Sequence, residues 1–138
     1  MKVVAADWLP YCLPLRRPWQ TSRGTLNERH GRLRRLVSED GRTGWGDCAP
    51  LPEFGIDEAA ATAFAEESAT LDLVAQTAGL SLAEWLSGDS PVVSVAVNDA
   101  MGVISGVTPE AVQNSIVAGF RVLKIKVGSG PLAEEIER

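Results

Sequence analysis

The sequence predicts an α+β unit followed by a run of βα units within 138 residues. Three observations carry this expectation. Strand-like segments at 2–15, 32–38 and 43–48 surround the Asp40-Gly41 turn, which reads as an antiparallel three-stranded meander. An alanine-rich helical stretch follows over 57–79. After Pro91 the pattern switches to apolar strand, amphipathic helix and strand, the order of parallel βα structure.

Each element has its own justification. Val3, Val4, Trp8, Leu9, Tyr11, Cys12 and Leu13 make the first strand. Residues 16–31 are polar and rich in Arg, Thr, Ser and Gly, and read as a long loop of the kind that is usually functional or disordered. Leu33 and Val37 share a face of the second strand, and Thr43 to Cys48 returns as a third, weakened by Gly44 and Gly46. Ala49 to Gly55 holds two prolines and reads as a stiff, irregular loop. On the long helix, Phe64, Leu71, Val74 and Ala78 fall on one face. Ser81 and Glu84 form a capping box for a short helix ending near Gly88.

Beyond Pro91, Val92 to Val97 is a continuous apolar strand of the kind covered on both faces. Thr108 is an N-cap with Pro109 at the first helical position, Val112 and Ile116 face one side, and Gly119 closes the helix. Residues 121–127 form the next strand, and Pro131 to Arg138 begins a further helix. The expected domain division is 1–89 and 90–138.

Net charge is −5 and unevenly spread. Residues 1–42 carry nine Lys/Arg against four Asp/Glu, and residues 43–138 carry four against fourteen. Eight arginines lie between Arg16 and Arg42. They read as a strand face and loop that bind small anions or water, because the acidic remainder would repel a nucleic acid. No apolar run reaches membrane-spanning length. Asp7 and Pro10 interrupt the apolar residues near Met1, so no secretory signal is expected, and the chain reads as cytoplasmic. Cys12 and Cys48 form no CxxC pair and read as two buried free thiols. His30 is the single histidine, which leaves a histidine-rich zinc site or a Ser-His-Asp triad almost no material.

The richest stretch for chemistry is Gly119-Phe-Arg-Val-Leu-Lys-Ile-Lys-Val-Gly128. Alternation along a strand places Val122, Lys124 and Lys126 on one face and Leu123, Ile125 and Val127 on the other. Two lysines on a covered strand favour each other's neutral form through burial and mutual repulsion, which suits one of them to act as a base. A half-exposed strand with two solvated lysines is the plainer alternative. Gly128-Ser-Gly-Pro-Leu-Ala133 fits the dinucleotide fingerprint G-x-G-x-x-[G/A], and equally a tight βα turn. Asp47, Glu53, Asp57 and Glu58 sit at a strand end and a helix start, where acids are ordinary. Asn98-Asp99 reads as a plain strand exit. Trp8, Trp45 and Trp85 read as packing residues, whereas Trp19 stands out because it lies in the polar stretch.

The order of meander, Gly44-Trp45-Gly46-Asp47, Pro50-Leu51-Pro52, helices, βα and Lys124-Ile-Lys126-Val-Gly resembles the N-terminal part of the enolase superfamily, within its muconate-lactonizing subgroup. The resemblance covers essentially the whole chain. It implies an α+β capping domain followed by the first two βα units of a (β/α)8 barrel, which is incomplete here. It also implies a Mg²⁺-dependent enzyme that takes the proton next to a carboxylate. A dehydrating carbon–oxygen lyase of menaquinone biosynthesis is the expected activity, with dipeptide epimerase or cycloisomerase as alternatives.

By the same resemblance Lys126 is the general base and Lys124 assists through its charge. Thr21, Arg23, Pro52 and Phe54 belong to two loops that close over a small carboxylate substrate. The family's metal ligands come from later barrel strands, so no Mg²⁺ ligand is expected in this chain, which by itself should be inactive. The capping helices look shortened. From other classes, a small anion- or nucleotide-binding βα module and an inactive remnant are the competing readings. Exposed strand edges would allow self-association.

Overall fold

The structure is a computed structural model that describes residues 1–21, 23–88 and 94–137. It divides into two compact units, Met1–Pro91 and Val92–Arg138. The first holds β1 (Val3–Thr21), β2 (Gly24–Ser38), β3 (Thr43–Cys48), α1 (Glu58–Thr77) and α2 (Leu82–Ser87). The second holds β4 (Asp99–Val103), α3 (Pro109–Val117), β5 (Leu123–Lys126) and α4 (Leu132–Ile136).

The three strands of the first unit form an antiparallel sheet in the order β1-β2-β3. The hairpin at Asp40-Gly41 closes through Gly41 N–H to Ser38 O at 2.9 Å, with Gly41 at φ 84°. Residues 16–31 are not a loop. They are the outer arm of a long hairpin, with Trp19 opposite Leu26 and Thr21 opposite Gly24. The register slips between Pro14 and Trp19, where prolines 14 and 18 cannot donate to the ladder. A ribbon solvated on both faces carries no apolar alternation, so its residues look like a loop in sequence.

The core forms where α1 lies across β3. Ala61, Ala65, Ala69 and Leu73 recur every four residues and are all buried. A Cβ on Gly46 would lie 2.0 Å from the Ala65 carbonyl oxygen, and one on Gly44 2.3 Å from that of Ala69. Glycine in β3 and alanine in α1 therefore let two backbones come nearly into contact. The packed face is not the one predicted through Phe64 and Ala78. Phe64 is 64% exposed and Ala78 is exposed, because a large side chain could not enter so narrow a gap.

Polar groups finish the joint. The Trp45 N–H donates to Asp72 Oδ2 at 2.9 Å, and Gln76 Nε2 donates to Thr43 O at 2.9 Å. Two backbone groups on the outer edge of β3 thereby gain partners from the helix. Asp57 caps α1 by accepting from Ala60 N, and the Ser81–Glu84 capping box forms as expected.

Three arginines of β2 make structural contacts. Arg35 pairs with Asp7 at 2.7 Å, directly across the ladder. Arg34 reaches Glu66 at 3.2 Å and Arg32 bonds Glu58, so both tie β2 to α1. Both guanidinium groups also lie over the Trp8 ring, at 4.7 and 4.9 Å. Of the two thiols, Cys48 is buried as expected but Cys12 is exposed.

In the second unit β4 and β5 pair in parallel, with Asp99 opposite Leu123 and Val103 opposite Lys126. The expected strand over 92–97 differs. Val92 and Val93 lie outside the described residues, and 94–98 are not in a strand. The ladder begins at Asp99, whose N–H donates to Val122 O at 3.0 Å, because β5 offers partners from there onward. Asp99 thus opens its strand instead of leaving it. Thr108 caps α3 through Ala111 N, with Pro109 at the first turn. Ser115 is buried and bonds the Asp99 carboxylate, whereas Ile116 is exposed and Val112 half-buried.

Substituting Gly46→Ala is expected to destabilise the chain by about 1–3 kcal/mol or more through overpacking. The exposed Phe64→Ala should stay within about 0.5 kcal/mol of the parent. Urea unfolding of the two variants checks both values.

Candidate active-site elements

Residues of the two predicted closing loops meet. The hairpin tip is ordered by Thr21, whose hydroxyl donates to Gly24 O at 2.9 Å and accepts from the Arg23 N–H at 3.1 Å. The loop after β3 folds as a 3-10 turn over Pro52–Phe54, closed by Gly55 at φ 82°. Leu51 and Ile56 bridge its base through paired backbone hydrogen bonds of 2.8 and 3.2 Å. Trp19 stacks on Phe54 with ring centroids 5.9 Å apart and planes within 3°. The Arg23 guanidinium lies 5.8 Å from the centre of the same ring. Thr21, Arg23, Pro52 and Phe54 therefore come together, with Trp19 added.

Two residues that the sequence reading passed over fix this arrangement. Arg29 donates to Ala49 O at 3.0 Å and to Pro50 O at 3.1 Å, which holds the proline loop against the hairpin. Tyr11 crosses Gly31 to donate to Asp47 Oδ1 at 2.8 Å, and a Cβ on Gly31 would lie 2.2 Å from its hydroxyl. Burial pushes the Tyr11 hydroxyl above its ordinary pKa, and the Asp47 carboxylate adds to that. The sequence signal was the tyrosine opposite a glycine, which only the register reveals.

Lys124 and Lys126 lie on β5 in the other unit, opposite Ala100 and Val103. Lys126 ends the strand and is half-buried, whereas Lys124 is exposed. The covered setting expected for both lysines is not present among the described residues. Alternation still sets the two on one face of β5.

The turn after β5 resolves the fingerprint question. Gly128, Ser129 and Gly130 donate their N–H groups to the Glu135 carboxylate at 2.6, 3.0 and 2.9 Å. Such a cradle of amides is what a phosphate would occupy, and the chain's own glutamate fills it. The Gly128 N–H, then those of Gly130 and Ser129, hold the Glu135 pKa below its ordinary value of 4.5. The segment is a self-satisfied βα turn.

The family resemblance implies magnesium, a hard ion that takes oxygen ligands. Among the described residues, the side chains close enough to share an ion are Cys12, Glu28 and His30. A thiol and an imidazole suit softer ions than magnesium, and all three belong to the first unit. The described residues do not fit a magnesium site.

Comparison with known proteins agrees with the fold. No family model matches the chain. Curated o-succinylbenzoate synthase of Edwardsiella ictaluri is 33% identical over a 126-residue alignment, covering 75% of this chain and 35% of that protein. The L-Ala-D/L-Glu epimerase of Bacillus subtilis superposes with a TM-score of 0.67 at 22% identity, over 99% of this chain and 48% of the epimerase. The o-succinylbenzoate synthase of Thermosynechococcus elongatus, solved with magnesium in its active site, gives 0.58 at 22%, over 94% of this chain and 45% of that one. The chain spans about a third of the length of the first curated relative and under half that of these structures.

The fold is that of the enolase superfamily, a capping domain followed by part of a barrel. Within it, the chain resembles o-succinylbenzoate synthase.

The depressed pKa of Glu135 gives a pH test. Its carboxylate stabilises the folded turn above pH 4.5, and that contribution is lost as pH falls through the lowered folded value. Amide NMR resonances of Gly128 and Gly130 should shift together in that acid range. In Glu135→Gln the two resonances should no longer titrate.

Proposed function

We propose that this chain is the N-terminal part of a Mg²⁺-dependent enolase-superfamily lyase of the o-succinylbenzoate synthase type, acting in menaquinone biosynthesis. The observation that carries the reading is the Lys124-x-Lys126 pair at the end of a parallel strand, in a chain whose sequence matches that synthase. Lys126 takes the proton next to the substrate carboxylate and returns it to the departing β-hydroxyl, so that the C–O bond breaks and water leaves. Lys124 acts through its charge, drawing the carboxylate in. Magnesium in the parent family would supply positive charge beside the substrate carboxylate, and no described residue of this chain is assigned to hold it.

The closing loops supply the rest. Arg23 offers a guanidinium to the carboxylate, and Thr21 holds the backbone that presents it. Phe54, stacked on Trp19, and Pro52 give the loops an apolar surface. The partner is thus a small carboxylate. Nucleic acid is disfavoured by the engaged arginines, and no helix among the described residues is long and apolar enough to cross a membrane. A cytoplasmic location fits this metabolism.

A dipeptide epimerase is the second reading, favoured by TM-scores of 0.67–0.70 against such enzymes compared with 0.58 for the synthase. A small nucleotide-binding module is disfavoured by Glu135 in the amide cradle.

The test assays the protein that carries this chain, with Mg²⁺, for dehydration of a β-hydroxy carboxylate and for dipeptide racemisation. The lyase reading expects dehydration. Racemisation without dehydration would favour the epimerase. Lys126→Ala should lower kcat by about 10²–10⁴-fold, and Arg23→Ala should raise KM by about tenfold or more, with a smaller effect on kcat. A Lys126→Ala enzyme with unchanged kcat would overturn the assignment of the base.

A further inference from the structure

The hairpin carries a cluster that neither the lysine strand nor the closing loops use. Cys12 on β1 faces His30 on β2 as a direct cross-strand partner. Glu28, two residues before His30, lies on the same face of the ribbon. The three ligand atoms lie within 4.8 Å of one another and all three residues are exposed. Cys12 Sγ is 3.4 Å from Glu28 Oε2 and 4.0 Å from His30 Nε2, and His30 Nε2 is 2.7 Å from Glu28 Oε1.

From these residues we propose a binding site for a soft or borderline divalent cation, zinc above all, with Cys12, Glu28 and His30 as its three protein ligands. A tetrahedral zinc with bonds of about 2.3 Å to sulfur and about 2.0–2.2 Å to nitrogen and oxygen sets its donors roughly 3.3–3.6 Å apart. The three observed separations straddle that range, so small side-chain rotations would seat the ion. The His30–Glu28 hydrogen bond opens in the process. Water takes the fourth position on the solvent side.

The balance is simple. Bonds form from zinc to Sγ, to the imidazole Nε2 and to a Glu28 oxygen. The thiol S–H bond breaks, and its proton goes to solvent. A thiolate and a carboxylate then neutralise the dication. Arg29 between the ligands does not oppose this, because alternation puts it on the other face, where it is bonded to Ala49 O and Pro50 O. The thiol and imidazole select against magnesium, so this site is distinct from the Mg²⁺ chemistry of the family.

The experiment titrates the reduced 138-residue chain with Co²⁺, then with Zn²⁺. The proposal expects one Co²⁺ per chain, a thiolate-to-cobalt charge-transfer band, displacement by Zn²⁺ and none by excess Mg²⁺. Cys12→Ser should abolish the band while Cys48 remains. His30→Gln should keep the band but weaken Co²⁺ binding by about tenfold or more. Both side chains are exposed, so circular dichroism of the variants should match the parent. A band that survives Cys12→Ser, Co²⁺ binding without a band, or displacement by Mg²⁺ would each overturn the proposal.

Discussion

The near-contact between the backbones of β3 and α1 is the constraint on which the rest of the first unit depends. Gly44 and Gly46 leave no side chain on the face that meets α1, and Ala65 and Ala69 fill that space with their own main chain. Such an approach holds β3 flat against the helix and lets Asp72 and Gln76 reach its outer edge. It also fixes where the chain leaves β3 at Cys48, and hence where the Pro50-Leu51-Pro52 turn begins. Glycines that weaken a strand in isolation here define the packing of the unit.

From that joint the consequences run outward to the loops. Arg29 binds the carbonyls of Ala49 and Pro50, and Phe54 then meets Trp19 at the hairpin tip. The hairpin arm contributes the tryptophan and the arginine, and the β3 exit contributes the phenylalanine. Neither element would hold its shape well alone: a two-stranded ribbon is marginal in water, and the proline turn has few contacts of its own. Their stacking ties the polar hairpin arm to the proline turn. Arg32, Arg34 and Arg35 are engaged in structure, joining Trp8, Asp7 and α1.

Much of this was legible in the sequence, and the misses have physical causes. The meander, the Asp40-Gly41 turn and the caps at Ser81 and Thr108 are local, and local chemistry identifies them. The arm at 16–31 was read as a loop because both of its faces meet solvent. Helical periodicity sets Phe64 on the apolar face, whereas a glycine strand selects alanines. The apolar run before Asp99 was read as a strand from its composition, but pairing decides where a ladder starts. For the site, the loop residues and the lysines were named through family resemblance. Trp19–Phe54 stacking, the Arg29 tether, Glu135 in the amide cradle and the Cys12–Glu28–His30 cluster all depend on register or on tertiary contact, which single-sequence periodicity does not carry.

Under the proposed function Lys126, at the end of β5, removes the proton beside a substrate carboxylate. The most direct measurement follows that hydrogen itself. The protein that carries this chain would be incubated with substrate and Mg²⁺ in D₂O, and deuterium at the α-carbon measured by mass spectrometry in recovered substrate. The account predicts exchange by the parent protein and none above background by Lys126→Arg, whose guanidinium keeps the charge but cannot accept the proton. Exchange at the parental rate in that variant would contradict it.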